Sequence, residues 1–182
     1  TNIVTPTDWE QQKTMIKVIG VGGGGCNAVT YMYRQKIQGC GFVVCNTDSQ
    51  ALLKSDVPVK LQLGNGLGAG TDPDLARKAA IDCQDEILAR ITEGGTRMLF
   101  ITAGLGGGTG TGASPVIARL AKENGILTVA VVTLPFRNEG RLALSKAAAG
   151  MHELERNVDS LLIINNEKLY DYFGDELVQN AF

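Results

Sequence analysis

The sequence is poor in the residues that most often carry chemistry outright. It has one histidine (His152) and four cysteines (Cys26, Cys40, Cys45 and Cys83), no two of them in a CxxC pair. That spacing speaks against a zinc site and fits reduced thiols in a cytosolic protein. No apolar run is long enough to cross a membrane, and residues 1 to 15, TNIVTPTDWEQQKTM, lack the apolar core of a secretion signal. No run of basic residues occurs either. Lys and Arg number 17 against 19 Asp and Glu, a net charge of −2, which argues against a nucleic-acid binder held by phosphate neutralisation. The chain begins at Thr1 rather than Met, so we expect a piece of a longer protein. Its 182 residues suit one compact domain. Residues 1–14, with Trp9, read as an N-terminal arm, and residues 15–182 as the domain.

Glycine, in contrast, is abundant and clustered. Short β-rich runs alternate with helical patterns. The strands are expected at 15–21, 42–46, 59–63, 98–102, 126–132 and 160–164, mostly as near-continuous apolar runs of the kind buried on both faces. After Asp72, a natural N-cap, and Pro73, a natural first helical residue, Ala76, Ala80, Cys83, Ile87 and Ile91 share one helical face. From Gly140, Leu144, Ala147, Ala148, Met151, Leu154 and Val158 share another. This alternation predicts a doubly wound α/β domain, a mostly parallel sheet with helices on both faces.

Two glycine turns follow strands. VIGVGGGGCNA (18–28) satisfies G-x-G-x-x-G through Gly20, Gly22 and Gly25, with the acid Asp48 closely following the second strand. Alone it suits the pyrophosphate of NAD or FAD, and a Rossmann oxidoreductase is the alternative reading. The second turn, GLGGGTGTG (104–112), follows the fourth strand and leads to a helix expected from Ser114 and Pro115 onward. In a 3-2-1-4 strand order both turns border one crevice, which suits a nucleoside triphosphate better than a dinucleotide. Neither turn contains lysine, so the Walker pattern is absent. Backbone N–H groups, helix dipoles, the hydroxyls of Thr109 and Thr111 and a bound cation must then meet the phosphate charge. A third glycine stretch, GNGLGAGTDP (64–73), read alone, is a flexible surface connection.

GGGTGTG (106–112) is the signature of the tubulin and FtsZ superfamily. With IKVIGVGGGGCNAV, VVCNTDSQAL, GLGAGTDPD, ILTVAVVTLPFRNEG and VDSLLIINNEKL, the chain resembles the FtsZ family of bacterial cell-division GTPases from about Met15 to Phe182. The GGGG turn followed by Cys26 and Asn27 favours that branch over tubulin. The resemblance implies binding of GTP or GDP with Mg2+. It places Gly23, Gly24, Gly25, Cys26 and Asn27 in a first phosphate loop, and Asn46 and Asp48 near the terminal phosphate and its magnesium. It places Ala69, Gly70 and Thr71 in a loop sensing the γ-phosphate, and Gly106, Gly107, Gly108, Thr109 and Gly110 in the turn that cradles the phosphates. Glu139 matches a ribose contact, Asn166 a guanine contact and Phe182 a stacking ring. The metal is held mainly by phosphates and water.

Three positions depart from the family pattern. Cys26 stands where a further glycine is usual, and Asn165 where proline is common. The arginine expected four residues after the ribose-contacting acid falls on Ala143, leaving Arg141 as the nearest candidate phosphate contact. The resemblance further implies a second domain, absent from this chain, whose acidic loop completes the site of the next subunit in a head-to-tail filament. The isolated domain is then expected to be nearly inactive in hydrolysis, and a purely structural module that binds partner subunits stays compatible with this. The implied setting is a cytoplasmic division ring at mid-cell with division-ring partners, without nucleic acid or membrane insertion.

Overall fold

Strand β1 (Ile16–Val21) reads IKVIGV and is buried from Lys17 onward. Its side chains alternate between two cores: Ile19 and Val21 belong to one apolar cluster, Val18 to another. A strand buried on both faces must have neighbours on both edges, and β1 lies centrally. In the computed structural model, which describes residues 15–168, it is flanked by β2 (Gly41–Asn46) and β4 (Met98–Gly104). With β3 (Lys60–Gln62), β5 (Leu127–Leu134) and β6 (Ser160–Asn165), the order is β3-β2-β1-β4-β5-β6, every pairing parallel. The doubly wound fold expected from the sequence is the one observed, and the chain reverses its winding between β1 and β4. Trp9 and Phe182 lie outside the described residues.

Helix α1 (Gly22–Arg34) and the short α2 (Ser49–Leu53) place Val29 and Leu52 in the cluster around Val18 and Val44. The other face carries α3 (Pro73–Asp82), α4 (Gln84–Thr92), α5 (Thr109–Glu123) and α6 (Arg141–Asn157), which bury Ala80, Ile87, Ile117 and Leu154 against Ile19, Leu99 and Ile101. The register pairs Val21 with both Cys45 and Ala103, Ala103 with Val132, and Val132 with Ile163. The carboxyl ends of five strands therefore form one row, where an open parallel sheet binds its ligands.

Three local expectations are corrected. Helix α5 starts at Thr109, before the expected Ser114, so Gly110 and Gly112 are helical. A Cβ on Gly112 would stand 1.9 Å from the carbonyl oxygen of Pro73, and this packing against α3 outweighs the poor helix propensity of glycine. The helix after Asp72 is interrupted at Cys83 (φ −102°, ψ 14°), and the bend leaves Ile87 and Ile91 fully buried beyond it. The buried stripe of α6 is Ala147, Gly150 and Leu154; Leu144 and Ala148 are exposed.

Lys17 is the one buried residue of β1 with a charge. Its ammonium donates to the carbonyls of Arg90 and Glu93, each at 2.7 Å, and so ties β1 to the C-terminal end of α4. Burial pulls its pKa below the ordinary lysine value; Glu93 opposes that shift and Arg90 adds to it. We expect Lys17→Met to cost about 1–3 kcal/mol in urea unfolding at pH 7, because two α4 carbonyls lose a charged donor. The folded state binds fewer protons than the unfolded one just below the ordinary lysine pKa. Stability from this group therefore rises with pH there, and the gap between wild type and Lys17→Met should widen from pH 8 to pH 10.

Candidate functional site

Strand β1 runs into α1 without a connecting residue, and β4 reaches α5 through four. Both junctions rest on missing side chains. A Cβ on Gly20 would lie 2.3 Å from the Gly25 oxygen, one on Gly25 2.2 Å from the Thr102 oxygen, and one on Gly110 2.2 Å from the Gly104 oxygen. Each helix is thus pressed backbone to backbone onto the strands. The two helix starts also meet each other: a Cβ on Gly22, whose φ is +74°, would be 3.0 Å from the Gly110 nitrogen.

Neither helix start is capped by a side chain or carries an acid in its first turn; the N-cap residues are Val21 and Gly108. The first-turn N–H groups of Gly22, Gly23, Gly24, Thr109, Gly110 and Thr111 have no partner within their helices. Two positive helix ends therefore converge on one spot at the carboxyl row, an arrangement made for an anion. Gly23 and Gly107 face open space, since a Cβ there would meet nothing within 4 Å. Gly25 and Cys26 are buried, with their N–H groups beyond the uncapped first turn, and Gly25 packs on β4. Asn27 is exposed on α1. The Cys26 thiol donates to the carbonyls of Gly20 (3.5 Å) and Cys45 (3.3 Å), and burial pushes its pKa up to about 11, so it stays a thiol at neutral pH.

The hydroxyls anticipated as anion ligands are largely used internally. Thr111 Oγ1 accepts from the Gly106 N–H at 2.8 Å and holds the signature turn in its loop. Thr109 Oγ1 pairs with Thr47 Oγ1 at 2.6 Å, and Thr47 Oγ1 also accepts from the Ala69 N–H at 3.0 Å. Thr47 was not singled out by sequence reasoning. Its position in NTDS, between two other polar residues at a strand end, was the available signal. It joins three segments: its own after β2, the 64–72 loop and α5.

That loop is not a loose connection. Gly68 N–H donates to the Thr47 carbonyl, Ser49 N–H to the Gly66 carbonyl, both at 2.9 Å, and Gly108 N–H to the Gly70 carbonyl at 3.2 Å. Ala69 is buried, while Gly70 and Thr71 are exposed beside the signature turn. Asn46 is buried and its Oδ1 accepts from the Asp48 N–H at 3.3 Å. Asp48 Oδ1 caps α2 by accepting from the N–H groups of Gln50 (2.9 Å) and Ala51 (3.2 Å).

At the other end of the row, Glu139 closes a single 3-10 turn, Arg137–Glu139, and its Oε1 accepts from the Phe136 N–H at 2.8 Å. Glu167 links this turn to the segment after β6: it accepts the Arg137 N–H at 2.6 Å and pairs with its guanidinium at 3.3 Å. Asn165 Oδ1 accepts from the Glu167 N–H at 3.0 Å. Glu139 and Asn166 therefore sit on adjoining segments. Ala143 lies on the first turn of α6, where its carbonyl would be 3.2 Å from a Cβ on Gly106. Arg141, the first residue of α6, is exposed and has no ion-pair partner among the described residues. Phe182 lies outside the described residues.

The model of the Tubulin/FtsZ family, GTPase domain, matches residues 15–174. The chain is 52% identical over 172 residues to a protein of Porphyromonas gingivalis named cell division protein FtsZ, covering 92% of this chain and 38% of that one. A Coxiella burnetii protein of the same name is 52% identical over 176 residues, covering 94% and 45%. The chain thus spans less than half the length of these curated relatives. Among solved structures, an empty FtsZ dimer from M. jannaschii matches with a TM-score of 0.86 at 40% identity, over 98% of this chain and 54% of that one. A GTPγS-bound CetZ2 protofilament from Haloferax volcanii matches at 0.76 and 26% identity, over 85% and 50%. Family model, relatives and structures agree, and the chain belongs to the Tubulin/FtsZ family as its GTPase domain.

Proposed function

We propose that this domain binds GTP and GDP at the carboxyl row, and that the longer protein polymerises head to tail and hydrolyses GTP as it builds a cytoplasmic cell-division ring. The observation that carries the reading is the convergence of two uncapped helix starts at Gly22–Gly24 and Thr109–Thr111. Asn166 would read guanine through its amide, Glu139 would hold the ribose, and Phe182 would stack on the base. With the base at the β6 side and the phosphates over β1 and β4, the phosphate chain points toward β2 and β3. Its last phosphate would then face Asn46, Asp48 and the loop at Ala69, Gly70 and Thr71.

Magnesium fits this arrangement as a phosphate-bound ion. No cluster of three or more metal-ligating side chains exists among the described residues, and Mg2+ commonly keeps several waters beside the phosphate oxygens it binds. When bound it would neutralise phosphate charge, with Asn46 and Asp48 close enough in the chain to order its waters.

The dinucleotide reading is disfavoured by the family match. Labelled-nucleotide titration should give a marked preference for GTP and GDP over ATP and NAD. Equal affinity for ATP and GTP, or release of NAD or flavin on denaturation, would overturn the assignment.

Arg141 supports the site electrostatically. A guanidinium at the positive end of a helix is unfavourable unless an anion answers it, and this one has no protein partner among the described residues. Arg141→Ala should weaken triphosphate binding by about 1–3 kcal/mol, the scale of a charge-assisted hydrogen bond. Unchanged affinity in calorimetry would leave the backbone donors and magnesium as sole phosphate ligands.

Hydrolysis needs a group that positions the attacking water. Asp48 spends one carboxylate oxygen on two backbone N–H groups, and Glu139 spends one on a single N–H. The water-positioning carboxylate is better supplied by the second domain of the next subunit, in a heterologous contact that grows into a filament. The isolated chain should therefore release negligible phosphate from GTP and should inhibit assembly of the longer protein by capping a filament end. Phosphate release that climbs steeply with the concentration of this chain alone would count against that division of labour.

A further inference from the structure

The 64–72 loop is held from two sides, and only one of them belongs to the glycine turns. From one side Gly108 donates to the Gly70 carbonyl. From the other, Lys146 on α6 donates from its ammonium to the Thr71 carbonyl. The same cleft between α3 and α6 contains a second link: Arg77 on α3 pairs with Glu153 on α6 and, at 3.1 Å, with Asp74. Through Glu153 the guanidinium joins the two helices, although its Nε is buried without a hydrogen-bond partner. Beneath these links α6 also packs closely on α5, since a Cβ on Gly150 would stand 2.6 Å from the Thr111 Cγ2 methyl. Thr111 in turn holds Gly106 of the signature turn.

We propose that Lys146 is a positioning residue: it fixes the Ala69–Thr71 segment against the signature turn and so sets the affinity for the terminal phosphate. The proposal rests on the nucleotide reading above, in which that segment faces the last phosphate. An ammonium on the Thr71 carbonyl turns that oxygen's negative end toward α6 and leaves the preceding carbonyl on Gly108. Without the lysine, Thr71 loses its hydrogen bond to α6, and across the site the segment keeps its ties to Gly108 and Thr47. Because α6 also begins with Arg141 and the Ala143 carbonyl beside Gly106, one rigid helix then spans both ends of the phosphate chain. A merely structural lysine would affect diphosphate and triphosphate alike; a positioning lysine discriminates between them.

The test uses the wild-type chain, Lys146→Met and Lys146→Arg, titrated with GDP and with GTPγS in the presence of Mg2+. Lys146→Met should weaken GTPγS binding about tenfold while GDP changes by less than about twofold, and Lys146→Arg should restore most of the loss. In the nucleotide-free Lys146→Met chain, hydrogen exchange at the amides of residues 70–72 should accelerate while thermal unfolding stays near wild type. A ratio of GTPγS to GDP affinity equal to that of wild type overturns the proposal and leaves the nucleotide reading standing. A wild-type chain that binds neither nucleotide overturns the reading, and the proposal with it.

Discussion

Backbone meets backbone where α1 and α5 leave the sheet, and the site depends on that contact. Gly25 lies against the Thr102 carbonyl and Gly110 against the Gly104 carbonyl at distances no Cβ would allow. Only such close seating lets two helix starts come together, as Gly22 and Gly110 do. Two partial positive charges this close repel one another when the site is empty. The fold tolerates the repulsion because the apolar faces of both helices are buried, with Val29 on one side of the sheet and Ile117 on the other fully enclosed. The core thus holds in place an electrostatic arrangement that an anion relieves.

Around that centre the chain adds walls of a different kind. Thr47 gathers the 64–72 loop and Thr109 through two short contacts of its hydroxyl, and Glu167 fastens the segment after β6 to the turn before α6. These are side-chain bonds across segments distant in sequence. They place the residues proposed for the terminal phosphate at one end of the row and those proposed for ribose and base at the other.

Much of the architecture was legible in the sequence because its signals are local. Apolar runs such as Met98–Ile101 announced strands, Asp72–Pro73 announced a helix start, and the alternation of the two announced the parallel sheet. The glycine turns stood out as a candidate anion site for the same reason. Their internal division was not. Which glycines offer free N–H groups and which serve close packing depends on where the helix begins, and in GGGTGTGASP the packing of Gly112 on Pro73 moved that start forward to Thr109. Thr47 and Lys146 were equally hidden, because each acts on a partner 22 to 75 residues away and no periodic pattern marks such a pair. The glutamate and asparagine proposed for the nucleoside end rest on resemblance, whereas the bridge through Glu167 emerged only from the fold.

The direct passage from Val21 to Gly22 also has a consequence for how this chain can change over time. An α-helix turns about 100° per residue, so one residue inserted at that junction would rotate all of α1 and carry Val29 out of the core. The bend at 35–40, at the amino-terminal end of β2, has no such register to keep. Length variation in this half of the domain should therefore collect at the amino ends of the strands, away from the face built on the carboxyl row. The strand-to-helix junctions that form that face should stay fixed in length even where their side chains drift.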